Sequence, residues 1–211
     1  MARMKSDEKT DEAKRLIIQA SIEIIVDEGF SGLTMAHIAS KLNISKPAIY
    51  WYFKNKGSLI AAINDYVRRE YLNHIRLIEQ DKCLTAIEKL EHIVSLAEDK
   101  GGHELQMCIV TMKLLLEYFT RDDEVKSALK SSYQEYAGYL SLVIEQGIAQ
   151  GVFRKDIDPL NMAIFLVGAL DGSLQQTVLH YGQDRIDKNM KQGKNFLIHV
   201  FKQILIKNNE L

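Results

Sequence analysis

The chain has 211 residues, 46% hydrophobic and 26% charged, with a formal net charge of -1. Those proportions exclude wholesale disorder and leave room for one or two folded domains with a substantial core. The longest uncharged apolar run, Met162 to Leu170, falls well short of the roughly 20 residues that cross a bilayer. The start, M-A-R-M-K-S-D-E-K, has no apolar centre, so no secretory signal is expected and the simple expectation is a cytoplasmic protein. Cys83 and Cys108 are too few for a disulfide framework or a paired metal knuckle.

Pro47 and Pro159 are the only prolines. Proline breaks helix interiors, so their scarcity predicts long helices. From Thr10 to Asp27, Ala13, Leu16, Ile17, Ala20, Ile24 and Ile25 recur at the helical period, and Gly29 suits a left-handed end. Thr34 predicts the N-cap of a short helix, Met35 to Leu42. Asn43 turns the chain, since asparagine tolerates positive φ. Ser45 caps a second short helix, Lys46 to Tyr52, with Pro47 in its first turn. Asn55 caps a long helix from Lys56 to about Gln80. Further helices are predicted near Leu84–Asp99, Glu104–Phe119, Asp123–Gln150, Pro159–His180 and Asp187–Lys207. Gly101-Gly102 and Gly151 make breaks, and Asp158-Pro159 makes a restart. No segment shows sustained strand alternation. The predicted fold class is all-α.

Charge is unevenly placed. Between Gly29 and Asn64 lie Lys41, Lys46, Lys54 and Lys56 and no acidic residue, a local +4 in a chain of net -1. Such an island is either a solvated face or the footprint of a polyanion.

The island's sequence, T-M-A-H-I-A-S-K-L-N-I-S-K-P-A-I-Y-W-Y-F, reads as two short helices across a tight turn. That is a helix-turn-helix, whose second helix can enter the DNA major groove. Ile38, Ala39, Leu42, Ile44, Ile49 and Phe53 form its expected interior. Ser45, Lys46, Ala48, Tyr50 and Trp51 form the outer side of the second helix. Tyr50 and Trp51 either pack on a neighbouring helix or meet phosphates, sugars and thymine methyls.

From about Lys14 to Tyr66 these residues resemble the TetR family of bacterial transcriptional repressors. The resemblance rests on A-S-I-E-I-I-V-D-E-G-F, L-T-M-A-H-I-A and I-S-K-P-A-I-Y-W-Y-F-K-N-K-G-S-L-I. Two departures are Leu42-Asn43 in the turn, where the family favours Ala-Gly, and Gly57 where it favours an acid. The resemblance implies an N-terminal helix-turn-helix DNA-binding domain over residues 1–55, with residues 1–9 a flexible arm. It implies a helical ligand-binding and dimerisation domain over residues 56–211. Thr34 would touch phosphate, and Lys46, Pro47, Ala48 and Tyr50 would face the major groove. Ser45 and Trp51 would lie along the DNA, His37 would be a polar extra, and Lys56 would grip a phosphate at a helix N-terminus. With Ala36 and Ala48 small, reading would rely on thymine methyls and DNA shape.

The remainder resembles the family more loosely, chiefly in I-E-Q-G-I-A-Q-G-V-F-R-K-D-I-D-P and A-I-F-L-V-G-A-L-D-G. The resemblance implies a homodimer through the last two helices, with Gly168, Gly172, Leu197, Val200, Phe201 and Ile204 at the interface; the alternative is burial of both helices within one chain. It also implies a small-molecule effector of unknown identity. His74, His103, Met107, Met112, Phe119, Tyr136, Met162, Phe165 and Gln175 are candidate pocket residues, although methionines and aromatics at helical spacing also make ordinary core.

The expected partners are therefore double-stranded DNA with a palindromic operator, a second copy of the chain and the effector. No metal, cofactor or catalytic residue is expected. The chain has no phosphate-binding glycine loop, no H-E-x-x-H and no G-x-S-x-G, and its six histidines are scattered. An all-α enzyme and a helix-turn-helix activator or adaptor without an effector are the rival readings.

Overall fold

The computed structural model describes the backbone of residues 2–96, 103–118, 123–181 and 186–206. Side chains are described for residues 10–96, 106–107, 109–118, 125–176 and 192–206. The described elements are α1 (Ala2–Gly32), α2 (Met35–Lys41), α3 (Lys46–Tyr52), α4 (Lys56–Gln80), α5 (Ala86–Ser95), α6 (His103–Tyr118), α7 (Asp123–Ala149), α8 (Pro159–Tyr181) and α9 (Ile186–Leu205). An isolated antiparallel bridge joins Phe153 to Ile206. The fold class is all-α, as expected.

The local signals act where the sequence places them. Asp158 Oδ1 accepts from the Asn161 amide at 2.7 Å and starts α8. Asn55 Oδ1 accepts from the Ser58 amide at 2.8 Å, while Ser58 Oγ accepts from the Asn55 amide at 3.2 Å. This reciprocal cap supports the start of α4 despite Gly57. Thr85 and Glu88 make a full capping box at the start of α5. The T-x-x-E spacing is a sequence signature for that cap, and the helix start near Leu84 moves to Ala86 because of it.

Two expectations at the N-terminus change. Helix α1 begins at Ala2, so residues 2–9 continue a helix where a flexible arm is expected. They contain no glycine or proline to stop it. The buried stripe of α1 takes in Ile18 and Ile22, while Leu16 is exposed. At Gly29 the backbone turns to φ 73°, ψ -173°. That region is reserved almost wholly for glycine, and it differs from the left-handed helical cap expected there.

The chain divides into two compact units. One is Met1–Glu70 with Gln106–Leu129, and the other is Tyr71–Leu105 with Lys130–Leu211. The first unit extends past residue 55 because Leu59, Ile60, Ile63 and Val67 of α4 are buried in its core. They share it with Ile17, Ile25, Leu33, Ile38, Ile49, Val110 and Leu114. Helix α6 also closes the end of α1: Lys113 Nζ donates to the carbonyls of Ile25 at 2.7 Å and Val26 at 2.9 Å. These carbonyls belong to the last turn before the kink at Gly29, where a helix runs short of amide donors. Phe30 meets Tyr118 edge to face, with ring centroids 5.1 Å apart.

In the second unit, Leu72 and Ile75 of α4 pack with Leu90, Ile93, Leu140, Ile144, Leu166, Phe201 and Leu205. The buried Lys89 on α5 donates to Gln146 Oε1 at 2.8 Å and to the Glu79 carbonyl near the end of α4. After α7 the chain folds back so tightly that a Cβ on Gly147 would sit 2.1 Å from the Phe153 ring. Glycine there lets Phe153 enter the core, where it is buried.

Candidate nucleic-acid interface

The short helices α2 and α3 owe their ends to side chains. Thr34 Oγ1 accepts from the His37 amide at 3.1 Å, and Ser45 Oγ accepts from the Ala48 amide at 3.3 Å. Between them Asn43 adopts φ 53°. The Asn43 amide donates to the Ser40 carbonyl at 3.1 Å and the Ile44 amide to the Ala39 carbonyl at 2.9 Å. Ile38, Ala39, Ile49 and Phe53 are buried and hold the pair together. Ile44 does not join them. It is 40% exposed, because the turn at Asn43 carries it outward.

The outer side of α3 is bare. Trp51 is 71% exposed and Tyr50 45% exposed. Trp51 touches Tyr52 of its own helix edge to face, with centroids 4.7 Å apart at 87°. That contact orients the indole and leaves most of it uncovered. Thr34, Ser45, Lys46 and Pro47 are exposed, and Ala48 is half-buried.

The four lysines of the basic island are not equivalent. Lys46 and Lys54 are exposed and make no hydrogen bond or ion pair among the described residues. Lys41 bridges to Glu23 at 2.9 Å, which raises its pKa through the hydrogen bond and the carboxylate's charge. Lys56 Nζ donates to the Phe30 carbonyl at 2.8 Å. His37 also turns inward: Nδ1 lies 3.2 Å from the Gly32 carbonyl, so it is the donor, and Nε2 lies 3.6 Å from Glu28 Oε1. His37 thus fastens the end of α1 to the helix-turn-helix, and Lys56 fastens it to the start of α4. Lys54, absent from the expected contacts, is a cation without a partner among the described residues, two residues beyond α3.

The remaining candidates scatter. Met107 is buried in the core of the first unit, and Met112 is half-buried there. In the second unit Tyr136 is buried, His74 and Met162 are half-buried, and Phe165 and Gln175 are exposed. A cleft of about 440 Å³ takes in Met162 and Phe165, with Arg154, Asp156 and Ile204. The His103 side chain and all of Phe119 lie outside the described residues.

Of the interface candidates, Phe201 is 1% exposed within the chain's own core. Its expected place at a dimer surface is therefore corrected: one turn from Leu205, it joins the buried core that includes residues of α5 and α8. Leu197, Val200 and Ile204 are half-buried. The uncovered face carries Leu160, Ile164 and Phe165 on α8 and Phe196, 67% exposed, on α9. Gly168 and Gly172 have open space where a side chain would begin. Among the described residues no cluster of His, Cys, Asp and Glu is placed to hold a metal, and no helix is long and apolar enough to cross a membrane.

Comparison with known proteins agrees with this geometry. Residues 17–63 match the family described as bacterial regulatory proteins, tetR family, and residues 88–192 match the tetracyclin repressor-like C-terminal domain. The chain is 37% identical over 190 residues to the HTH-type transcriptional regulator YerO of Bacillus subtilis, covering 78% of this chain and 65% of that one. It is 23% identical over 164 residues to the fatty acid metabolism regulator protein of the same organism, covering 78% and 82%. A transcriptional regulator from Saccharomonospora viridis, solved in complex with choline, shares the fold with a TM-score of 0.77 at 22% identity, over 94% of this chain and all of that one. A helix-turn-helix with a bare aromatic and basic outer face, carried on this all-α frame, belongs to the tetR family of bacterial regulatory proteins, and the chain is a DNA-binding transcriptional regulator.

Proposed function

We propose that this regulator is a homodimeric repressor that binds a palindromic operator and lets go when a small, mostly apolar effector binds. In this reading residues 1–55 carry DNA recognition, residues 56–211 carry the dimer and effector functions, and the protein works in the cytoplasm by binding and not by catalysis. The observation that carries the DNA part is the outer side of α3. Tyr50 and Trp51 stay exposed beside Lys46 and Lys54, neither of which has a partner among the described residues. Apolar rings pack on sugars and thymine methyls while the amines meet phosphates.

The dimer is supported by the face of Leu160, Ile164, Phe165 and Phe196. A second copy is the fitting occupant, since a palindromic site needs two recognition helices about 34–36 Å apart. The effector is supported by the choline held in the Saccharomonospora neighbour. Helix α4 contributes residues to both units and is the covalent route for the switch. A coupling of about 1–3 kcal/mol would weaken DNA binding about 5–150-fold.

Fluorescence anisotropy with a duplex from upstream of the protein's own gene tests the reading. Specific binding should exceed binding to a scrambled duplex by about a thousandfold or more. Equal affinity for both would overturn it.

A further inference from the structure

Helix α1 does not run straight into the helix-turn-helix. Its backbone turns at Gly29, and Thr34 caps α2 shortly after. Helices α2 and α3 share a buried interior of Ile38, Ala39, Ile49 and Phe53. A change in the turn at Gly29 therefore swings the two together.

The carbonyls on both sides of this turn are held from outside α1. Before it, Lys113 Nζ of α6 donates to Ile25 at 2.7 Å and to Val26 at 2.9 Å. After it, Lys56 Nζ donates to Phe30 at 2.8 Å and His37 Nδ1 to Gly32 at 3.2 Å. The Phe30 ring also meets Tyr118 of α6, with centroids 5.1 Å apart. Helix α6 thus grips α1 before the turn through Lys113 and after it through Tyr118.

Lys113 differs in origin from the other two donors. His37 and Lys56 lie in the stretch 17–63 that matches the family's N-terminal part, whereas Lys113 lies in the stretch 88–192 that matches its C-terminal domain. All three nevertheless belong to one compact unit. Lys113 is half-buried, and burial pushes its pKa down, with the charge of Asp27 offsetting part of that. The amine gives up water to reach neutral carbonyls. An apolar chain of similar length would fill the space without that cost, but would leave the two carbonyls without this donor.

We propose that Lys113 is a positioning residue for DNA recognition. With Tyr118 it brackets the turn at Gly29 and sets the angle at which α2 and α3 meet DNA. The proposal rests on DNA binding alone, and not on the repressor, dimer or effector reading.

The full-length parent first selects a duplex from a randomised library, and that duplex and a scrambled one are the anisotropy probes. Variants are compared at a temperature where circular dichroism shows them folded. Lys113→Met should lose about tenfold or more in affinity for the selected duplex, the order of one misplaced base contact. Its affinity for the scrambled duplex should change by less than about threefold, and its salt slope should not change, because Lys46 and Lys54 remain to meet phosphates. Lys113→Arg, which keeps the charge and the donors, should recover most of the lost affinity. Leu129→Ala controls for stability: Leu129 is buried in the same core on α7 and holds no carbonyl of α1. It should lower the thermal midpoint and keep specific affinity. Hydrogen exchange needs no DNA, and α2 amides should exchange faster in Lys113→Met than in Leu129→Ala. Lys113→Gln, one bond shorter, replaces the methionine variant if that fails to fold. The proposal is overturned if the Lys113 variant binds the selected duplex as the parent does, or if both duplexes weaken equally. A flattened salt slope would place Lys113 on a phosphate instead, and an equal loss in Leu129→Ala would reduce its role to stability.

Discussion

Replacing Lys46 by alanine isolates the electrostatic part of DNA binding. The Lys46 side chain is exposed at the start of α3 with no partner among the described residues, so the substitution disturbs no described contact. Each phosphate neutralised contributes about 0.9 to the slope of log affinity against log salt. A dimer loses two such contacts, so the slope should flatten by about 1.8. Between 50 and 200 mM salt, the affinity gap between parent and variant should therefore shrink by about twelvefold. Lys41→Ala is the internal control, because its amine is already held by Glu23 at 2.9 Å. Its slope should change by less than about half as much. Lys56→Ala should both flatten the slope and lower the thermal midpoint, since its amine also holds the Phe30 carbonyl. The assay is anisotropy with one duplex at five or more salt concentrations. An unchanged slope for Lys46→Ala, or equal flattening for Lys41→Ala, would refute the assignment of free and engaged lysines.

Light scattering should report monomers for Ile164→Glu or Phe165→Glu with DNA affinity falling in parallel, whereas Phe201→Glu should unfold the second unit because that ring is buried in its core. Lys113→Met should lower stability by about 1–3 kcal/mol in urea unfolding, through two lost charge-assisted hydrogen bonds to the end of α1; an unchanged midpoint would show those carbonyls satisfied by water. Asp171 gives a pH signature. Its carboxyl is held above the usual range by burial, so the folded state keeps the proton more tightly than the unfolded chain. Stability from this group is lost as pH rises from the unfolded pKa of about 3.9 through the raised folded value. Asp171→Asn should therefore melt higher than the parent at pH 7, with the gain closing below about pH 4; a gain that persists in acid would point to another cause.

What the sequence by itself determined is local. Thr34, Ser45, Asn55 and Asp158 cap their helices as read, and Asn43 takes the positive φ expected of it. Each of these signals works through a backbone group within a few residues, so spacing along the chain contains the whole geometry. The apolar period likewise placed the helices, but could not say which apolar residue faces the chain's own core. Phe196 and Phe201 lie on the same helix, five residues apart, yet one is 67% exposed and the other 1%. Both suit an apolar surface equally, and only the helix packed against α9 separates them.

The partners of the long polar side chains were equally invisible. Lys56 finds a carbonyl 26 residues away, and Lys113 finds two that are 87 and 88 residues away. Every residue carries such an acceptor, so no residue type marks it in a sequence. The same holds for Tyr71 and Tyr136, joined across 65 residues, and for Asp171 with Tyr133 on a neighbouring helix. Capping and periodicity are decided within a turn or two of helix, whereas a side chain's role as tether, core or free contact is decided by whichever distant backbone or ring the fold brings to its tip.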